Sequence, residues 1–172
     1  MSNELNQLAK KFHAYLRKEY SDIKTILKYR TQFQLLVSIV LSAQTTDENV
    51  NKATKGLFKE YPNAKSLASA ELKSIEKLVF STGFYKVKSK NIHALSKILV
   101  NEYNSRIPKT IEELVKLPGV GRKTASVFLA ETFDQPTIAV DTHVLRVSHR
   151  LGLSTKRHDP IQTEKELKLL FP

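Results

Sequence analysis

The chain has 172 residues, 41% of them hydrophobic, which allows a packed core and excludes an intrinsically disordered protein. It contains no cysteine, which excludes a disulfide framework and a thiolate metal site within this chain. The 28 Lys and Arg outnumber the 17 Asp and Glu, and the resulting formal net charge of +11 at pH 7 favours a polyanionic partner over lysines that only solubilise the surface.

The first third of the chain predicts neither a secretory leader nor a membrane span. Residues 1–13 lack the basic-then-apolar order of a secretory signal. The most apolar run, FQLLVSIVLSA at 33–43, is shorter than the roughly 20 apolar residues that span a bilayer. Its apolar side chains recur at helical spacing on nearly all sides, which predicts a buried central helix. We expect a soluble, cytoplasmic protein.

Helix signals follow one another along the chain. Thr45 and Glu48 have the spacing of a capping box, which predicts the start of a helix that ends before Pro62. A further helix stops at Gly83, and another follows it. No alternating strand pattern, repeat or low-complexity linker interrupts the series. We therefore predict an all-α protein in which composition marks no domain boundary.

The second half of the chain continues with short helices. Thr110 and Glu113 have the spacing of another capping box, which predicts a helix start. Asp141 precedes a helix that Gly152 can end, and Pro160 opens the last helix.

Three apolar residues at the end of this last helix, Leu167, Leu170 and Phe171, need a partner surface. Either the N-terminal helix covers them or further chain does.

The stretch LPGVGRKTA at 117–125 predicts a tight turn between two helices. Gly119 and Gly121 remove side chains where the backbone bends, so a phosphate could approach the amides of residues near 119 to 122. The second helix begins there, and Arg122 and Lys123 add positive charge to its N-terminal end. Such a turn could hold a nucleic-acid backbone without reading its bases. The alternative is an ordinary corner between two helices.

Four stretches give the hairpin a wider context; in chain order they are LLVSIVLSAQTTD (35–47), STGFYKVKSKNI (81–92), LPGVGRKTA (117–125) and VDTHVLRV (140–147). They resemble the endonuclease III branch of the helix-hairpin-helix DNA glycosylases, and the likeness extends from about residue 25 to 172. The resemblance implies a two-lobed helical fold that binds damaged duplex DNA as a monomer associated with the nucleoid.

The domain organisation that the resemblance implies is discontinuous. Residues 25–136 would form a six-helix barrel lobe with the hairpin at about 111–133. Residues 1–24 and 137–172 would form a smaller lobe that lacks the family's iron–sulfur segment and is incomplete at its C-terminal end.

The resemblance assigns catalysis to Lys123 and Asp141. Lys123 stands at the family's nucleophile position, where an amine attacks the sugar and forms a Schiff base, so that glycosylase and abasic-site β-lyase activities on oxidised pyrimidines follow from one residue. Asp141 stands at the position of the catalytic carboxylate, which accepts a proton or stabilises positive charge on the sugar. The local alternatives are a phosphate contact for Lys123 and a helix N-cap for Asp141, and the N-cap can coexist with catalysis.

Two further residues resemble the family's means of filling the space that an extruded base leaves. Gln44 would occupy that space, and Phe84 would form an apolar wedge against the opposite strand. The alternatives are a polar loop residue and a core anchor after a glycine turn. The remaining DNA contacts that we expect are Lys86, Lys88, Pro118, Gly119, Val120, Gly121, Arg122, Thr124 and His143, with Lys90, Asp47 and Arg146 nearby.

The cofactor pattern departs from the family. The endonuclease III branch usually holds a [4Fe–4S] cluster in a four-cysteine loop, and nothing in this chain could ligate one. Either the protein belongs to a cluster-free variety or the chain is truncated, as the three apolar C-terminal residues suggest. We expect no catalytic metal, although the hairpin carbonyls could hold a monovalent cation.

Two other functions remain open at this point. A monofunctional adenine or alkylbase glycosylase has the same scaffold but activates water and does not keep a lysine at position 123. A truncated, non-catalytic hairpin module would bind only the DNA backbone, with steep salt dependence and no turnover.

Overall fold

This computed structural model describes residues 3–21, 23, 25–155 and 158–171. Within these ranges the chain is helical and contains no strand, which confirms the predicted all-α class. No helix in the same ranges is long and apolar enough to cross a membrane. The helices are α1 (Asn3–Glu19), α2 (Gln32–Leu41), α3 (Asp47–Glu60), α4 (Ala64–Ala68), α5 (Leu72–Val79), α6 (Tyr85–Glu102), α7 (Ile111–Leu114), α8 (Arg122–Phe133), α9 (Thr142–Arg150) and α10 (Pro160–Leu170), with a 3₁₀ turn at Phe80–Thr82.

The chain folds into two compact units. One unit is continuous and comprises Ile26–Phe133; the other combines Met1–Thr25 with Asp134–Pro172. We call them the central unit and the terminal unit, and each has its own apolar core.

Helix α2 is the centre of the central unit. Every residue from Phe33 to Leu41 is buried, as the all-round apolar pattern predicts. The helix begins at an N-cap, Thr31, whose side chain accepts a hydrogen bond from the Gln34 N–H. Helices α3, α6 and α8 pack against it, so the α2 side chains fill the space among them.

The start of α3 differs by one residue from the prediction. The N-cap is Thr46, not Thr45, and its hydroxyl accepts from the Asn49 N–H at 3.4 Å. With Thr46 as the N-cap, Asn49 stands at the capping-box position instead of Glu48, whose carboxylate pairs with Lys52 at 2.8 Å on the exposed face of the helix. Two adjacent threonines can both cap a helix, so local chemistry alone does not choose between them.

The other helix boundaries follow the local signals. Thr110 caps α7, since its hydroxyl accepts from the Glu113 N–H at 3.3 Å. Pro160 is the first residue of α10, where its missing N–H costs no hydrogen bond. Gly83 and Gly152 follow helical segments with φ of 65° and 71°, which are backbone values that favour glycine.

The terminal unit joins the two ends of the chain. Its buried core consists of Ala9 of α1, Leu153 from the segment after α9, and Leu167 of α10. The Phe171 ring meets the Phe12 ring edge to face, with 6.3 Å between the ring centroids. The N-terminal helix therefore supplies the partner surface that the apolar residues of α10 need. Of the two alternatives for these apolar residues, the structure shows the contact with the N-terminal helix.

Candidate functional site

The hairpin between α7 and α8 is built on buried apolar side chains. Leu114, Leu117 and Val120 belong to the core of the central unit. The Val120 N–H donates to the Leu117 carbonyl at 3.0 Å and closes the turn. Both the side chain and the amide of Val120 are thus used internally. Val120 therefore anchors the turn from beneath, and the DNA contact that we predicted at this residue stays a prediction.

The two hairpin glycines have different surroundings. Gly119 has a φ of 80°, and a Cβ there would lie 2.9 Å from Val40 Cγ1 and 3.0 Å from Asn91 Cβ. Both the backbone conformation and the packing therefore require glycine at position 119. Gly121 has neither constraint, since a Cβ at this position would meet no atom within 4 Å. The open side of Gly121 leaves room for a ligand to approach the backbone.

Helix α8 starts directly after Gly121 and carries the predicted nucleophile in its first turn. Its first i to i−4 hydrogen bond runs from the Ala125 N–H to the Gly121 carbonyl at 2.9 Å. The positive end of the helix dipole lies at this point, which favours an anionic ligand. Lys123 is exposed, Arg122 and Thr124 are half-buried on either side of it, and Pro118 is half-buried in the turn.

Gly119 packs against the two helices that carry the other predicted DNA-facing segments. Val40, which it touches, lies four residues before Gln44 near the end of α2. Asn91, its other neighbour, lies about two helical turns after Phe84 on α6. We use the name hairpin face for the exposed residues of these three segments, which are Gln44, Phe84, Lys86, Gly119, Gly121 and Lys123. Asn91 did not stand out in the sequence, because a single polar residue in a helix carries no special signal.

Gln44 and Phe84 share an unusual backbone conformation. Their φ angles are 54° and 47°, in the left-handed region that residues other than glycine rarely adopt. Such strain costs about 1–3 kcal/mol per residue and is concentrated at functional sites. The Phe84 side chain is 69% exposed, so the alternative that Phe84 anchors the core is wrong. Both side chains are held outward on strained turns.

Two more apolar side chains accompany Phe84. Phe80 is 64% exposed and Val87 is 60% exposed, although both are large and apolar. The Phe80 ring packs at a tilt against Tyr85, with 4.8 Å between the centroids. An exposed apolar cluster within eight residues is a candidate binding surface. Sequence reasoning missed Phe80 and Val87, because without the fold they read as ordinary core residues.

The lysines that follow Phe84 differ in their environment. Lys86 and Lys90 are exposed, as expected for residues that flank a DNA backbone. Lys88 is only 5% exposed, and its Nζ donates to the Thr82 carbonyl at 2.6 Å. Burial lowers the pKa of this ammonium from its ordinary value. Lys88 therefore does not lie on the surface, and our prediction of a DNA contact there is corrected to an internal role.

Asp141 lies in the terminal unit and caps α9. Its Oδ1 accepts from the N–H groups of His143 and Val144, both at 2.9 Å. The structure thus shows the capping role that the sequence suggested. His143 is exposed, and the Arg146 guanidinium donates to its Nδ1 at 3.1 Å. The helix start therefore presents one carboxylate beside an imidazole and a guanidinium.

The same helix borders a basic groove that sequence reasoning missed. The groove has a volume of about 400 Å³ and lies within the terminal unit. Arg146 and Arg150, one helical turn apart, give the groove positive charge, and their spacing is readable in the sequence. The residues lining it are Thr142, Leu145, Arg146, His149, Arg150 and His158.

In the parts of the chain that the structure describes, no three His, Cys, Asp or Glu side chains are grouped for metal binding. The sequence has no cysteine, so this chain cannot supply the four thiolates of a [4Fe–4S] cluster.

Comparisons with known proteins agree with this geometry. The model of the HhH-GPD superfamily base excision DNA repair proteins matches residues 37–172. Endonuclease III of Synechocystis sp. is 49% identical over 158 residues, which are 91% of this chain and 72% of that protein. Endonuclease III of Rickettsia felis is 45% identical over 94% of this chain and 75% of its own length. A solved structure of a trapped endonuclease III–DNA covalent intermediate superposes with a TM-score of 0.90 at 41% identity, covering 97% of this chain and 78% of that one.

Proposed function

The chain belongs to the HhH-GPD superfamily of base excision DNA repair proteins, and on that premise we propose that it is a DNA glycosylase with abasic-site β-lyase activity on oxidised pyrimidines in duplex DNA. The observation that carries the proposal is the position of Lys123, exposed in the first turn of α8 directly after the open Gly121. A similar protein, endonuclease III, has been trapped in a covalent intermediate with DNA. We assign the covalent bond in this chain to Lys123.

The proposed reaction begins with attack of the uncharged Lys123 amine on the anomeric carbon of the damaged nucleotide. The bond between this carbon and the base breaks, and the base leaves with the electron pair and takes up a proton. Loss of a proton from the nitrogen and opening of the sugar give a Schiff base. The iminium acidifies the C2′ proton, whose removal expels the 3′ phosphate by β-elimination. Water then hydrolyses the remaining imine and regenerates the amine.

Asp141 is the proposed partner in proton transfer. A carboxylate can accept the proton that the attacking amine releases, or stabilise positive charge that develops on the sugar. Its Oδ1 is oriented by the two N–H groups at the start of α9, so the cap also fixes the direction of the side chain. Arg146 adds positive charge beside it, with its guanidinium hydrogen-bonded to His143 Nδ1.

The hairpin face supplies DNA binding in this proposal. Gln44 fills the space of the extruded base, and Phe84 inserts against the opposite strand, because both are exposed on strained turns. Backbone phosphates bind at Gly121 and the start of α8, with Lys86 alongside. A monovalent cation on the hairpin carbonyls is compatible with this arrangement. We expect the protein to act on chromosomal DNA in the nucleoid.

Borohydride trapping tests the function directly. The wild-type chain should form a covalent adduct with an oligonucleotide duplex containing an abasic site, and it should cleave a thymine glycol duplex. Lys123→Ala should lose the adduct and reduce strand scission by at least about 10³-fold, because the nucleophile is gone. Lys97→Ala removes an exposed lysine from α6 and is the matched control, with trapping expected at the wild-type level.

Three outcomes would contradict parts of the proposal. Trapping by Lys123→Ala at the wild-type rate would place the nucleophile elsewhere. Release of free base without strand scission would indicate a monofunctional glycosylase. DNA binding without any turnover would indicate a binding module.

A further inference from the structure

Lys88 is the charged residue of α6 whose side chain is turned into the central unit. Its Nζ donates to the Thr82 carbonyl at 2.6 Å, and Thr82 is itself 1% exposed. The Thr82 hydroxyl donates to the Val79 carbonyl at 2.8 Å, so the acceptor of the lysine is anchored to the end of α5. The ammonium therefore meets a carbonyl that is already fixed in position.

The backbone of Lys88 holds the other side of the same bend. Its N–H donates to the Phe84 carbonyl at 3.1 Å, and the Val87 N–H donates to the same carbonyl at 3.0 Å. One residue thus ties down the carbonyls of both Thr82 and Phe84. The only residue between these two is Gly83.

The bend that Lys88 spans is strained. Gly83 has φ 65° and ψ 157°, and Phe84 has φ 47° and ψ 26°. A positive φ is strained for Phe84, because residues other than glycine rarely adopt it. Such a conformation persists only where the surrounding structure holds it in place. The strain turns the Phe84 side chain outward, where it is 69% exposed.

Burying a charged amine costs desolvation free energy that an apolar side chain of the same size would not. Burial lowers the pKa of the Lys88 ammonium, whereas a methionine of similar length would pack there without a charge to desolvate. The hydrogen bond to Thr82 gives a reason for a lysine at this position. Lys86 and Lys90, four residues apart, share the exposed face of the same helix.

We propose that Lys88 is a positioning residue that holds the Thr82–Phe84 bend, so that the Phe84 side chain is presented for insertion into the DNA stack during base extrusion. This inference rests on the proposed function. Lys88 touches neither the sugar nor the base; it acts through Phe84.

The test compares duplex and single-stranded substrates under single-turnover conditions. Lys88→Met should reduce excision of thymine glycol from a duplex by roughly 10- to 100-fold, because a displaced wedge opens the stack less well. Trapping on a single-stranded abasic oligonucleotide should stay at the wild-type level, since no base has to be extruded there. Lys97→Met removes an exposed lysine from the same helix and should leave both rates unchanged.

A double-mutant cycle separates positioning from simple destabilisation. In a Phe84→Ala background, Lys88→Met should have little further effect on the duplex rate, because the group it positions is already absent. All rates are measured at a temperature where circular dichroism shows each variant to be folded. Lys88→Arg, which keeps hydrogen-bond donors, should recover part of the duplex rate. Lys88→Gln, which shortens the side chain and removes its charge, replaces Lys88→Met in the comparison if the methionine variant does not fold.

The outcomes distinguish the two proposals. Absence of wild-type trapping would contradict the proposed function itself. Normal wild-type trapping, combined with equal loss on duplex and single-stranded substrates or with additive effects of the Lys88 and Phe84 substitutions, would overturn the positioning role alone.

Discussion

The two units of the molecule hold their functional side chains in different ways. In the central unit the hairpin that carries Lys123 rests on Leu117 and Val120, which are part of a large apolar core around α2. In the terminal unit the helix that carries Asp141 belongs to a small core around Ala9, Leu153 and Leu167. Apolar packing is non-directional and grows with buried area, so the smaller core contributes less stability.

Polar contacts supplement the small core of the terminal unit. Glu166 of α10 accepts hydrogen bonds from the hydroxyls of Ser154 and Thr155, both at 2.7 Å, and from the Thr155 N–H at 2.9 Å. The Thr155 hydroxyl is the main reason that the pKa of Glu166 falls to about 2. These directional bonds join the segment after α9 to α10. We therefore expect geometry in the terminal unit to depend on hydrogen bonds more than it does in the central unit.

The largest effect is expected at Asp141, where catalysis and capping can be separated. Asp141→Asn should reduce single-turnover excision by about 10²- to 10⁴-fold, because the amide cannot accept a proton. Its unfolding temperature should stay near the wild-type value, since asparagine caps helices as well as aspartate does. Asp141→Ala should lose both the rate and about 1 kcal/mol of unfolding free energy.

Asp159 provides the matched control for this prediction. It caps α10 in the same unit, with its Oδ1 accepting from the Gln162 N–H at 2.9 Å. Asp159→Asn should retain both stability and excision. Full turnover by Asp141→Asn would show that Asp141 only caps its helix.

The hairpin glycines give the next largest effect and test whether packing holds the central unit. Gly119→Ala should lower the free energy of unfolding by about 1–3 kcal/mol, because its Cβ would press on Val40 and Asn91 at a positive φ. Gly121→Ala should change stability by less than about 0.5 kcal/mol, since its Cβ meets no atom within 4 Å. It should weaken binding of an abasic-site duplex roughly tenfold, because a methyl group displaces the phosphate.

Urea unfolding and fluorescence anisotropy at a fixed salt concentration measure these two quantities. Equal effects of the two substitutions on stability would contradict the distinction between a packed glycine and an open one.

The smallest effect is expected from pH in the terminal unit. The pKa of Glu166 is lowered from 4.5 to about 2 in the folded protein. The unfolded chain therefore takes up this proton first as the pH falls, so stability that is present above pH 4.5 is lost as the pH approaches 2. Glu166→Gln should lower the unfolding temperature at pH 7 by about 2–4 °C.

The difference between Glu166→Gln and the wild type should shrink towards pH 2, as thermal unfolding followed by circular dichroism can show. Glu164 on the same helix pairs with Lys168 at 2.8 Å, and Glu164→Gln is the comparison variant for a carboxylate with a different partner. A difference that stays constant from pH 7 to pH 2 would contradict the role of the Glu166 hydrogen bonds.

Local chemistry was sufficient to predict most helix boundaries. Thr110, Gly152 and Pro160 act through their own backbone and the adjacent turn, so their roles hold wherever the helices pack. Thr45 and Thr46 can both act as an N-cap, so local chemistry does not choose between them. In the structure the N-cap is Thr46.

The lysines after Phe84 show that residue type alone does not predict which side chains are exposed, because their positions around the helix also matter. Lys86 and Lys90 are one turn apart and share a face, whereas Lys88 lies about 200° around the helix from Lys86 at 3.6 residues per turn. The alternation of lysines was interpreted as one basic surface. Helical geometry predicts that the middle lysine points inward, and the structure shows it buried.

The sequence by itself determined the all-α class, the order of the motifs and the family to which the chain belongs, because these depend on local propensity and on residues that are adjacent in the chain. Only the tertiary structure decided that Gly119 is packed while Gly121 is open, and that Lys88 supports the bend beneath Phe84. Those outcomes depend on contacts between distant residues, such as Val40 with Gly119. The sequence pattern does not show how far apart such residues lie in the folded protein. Their distances are determined by the packing of α2, α6 and the hairpin.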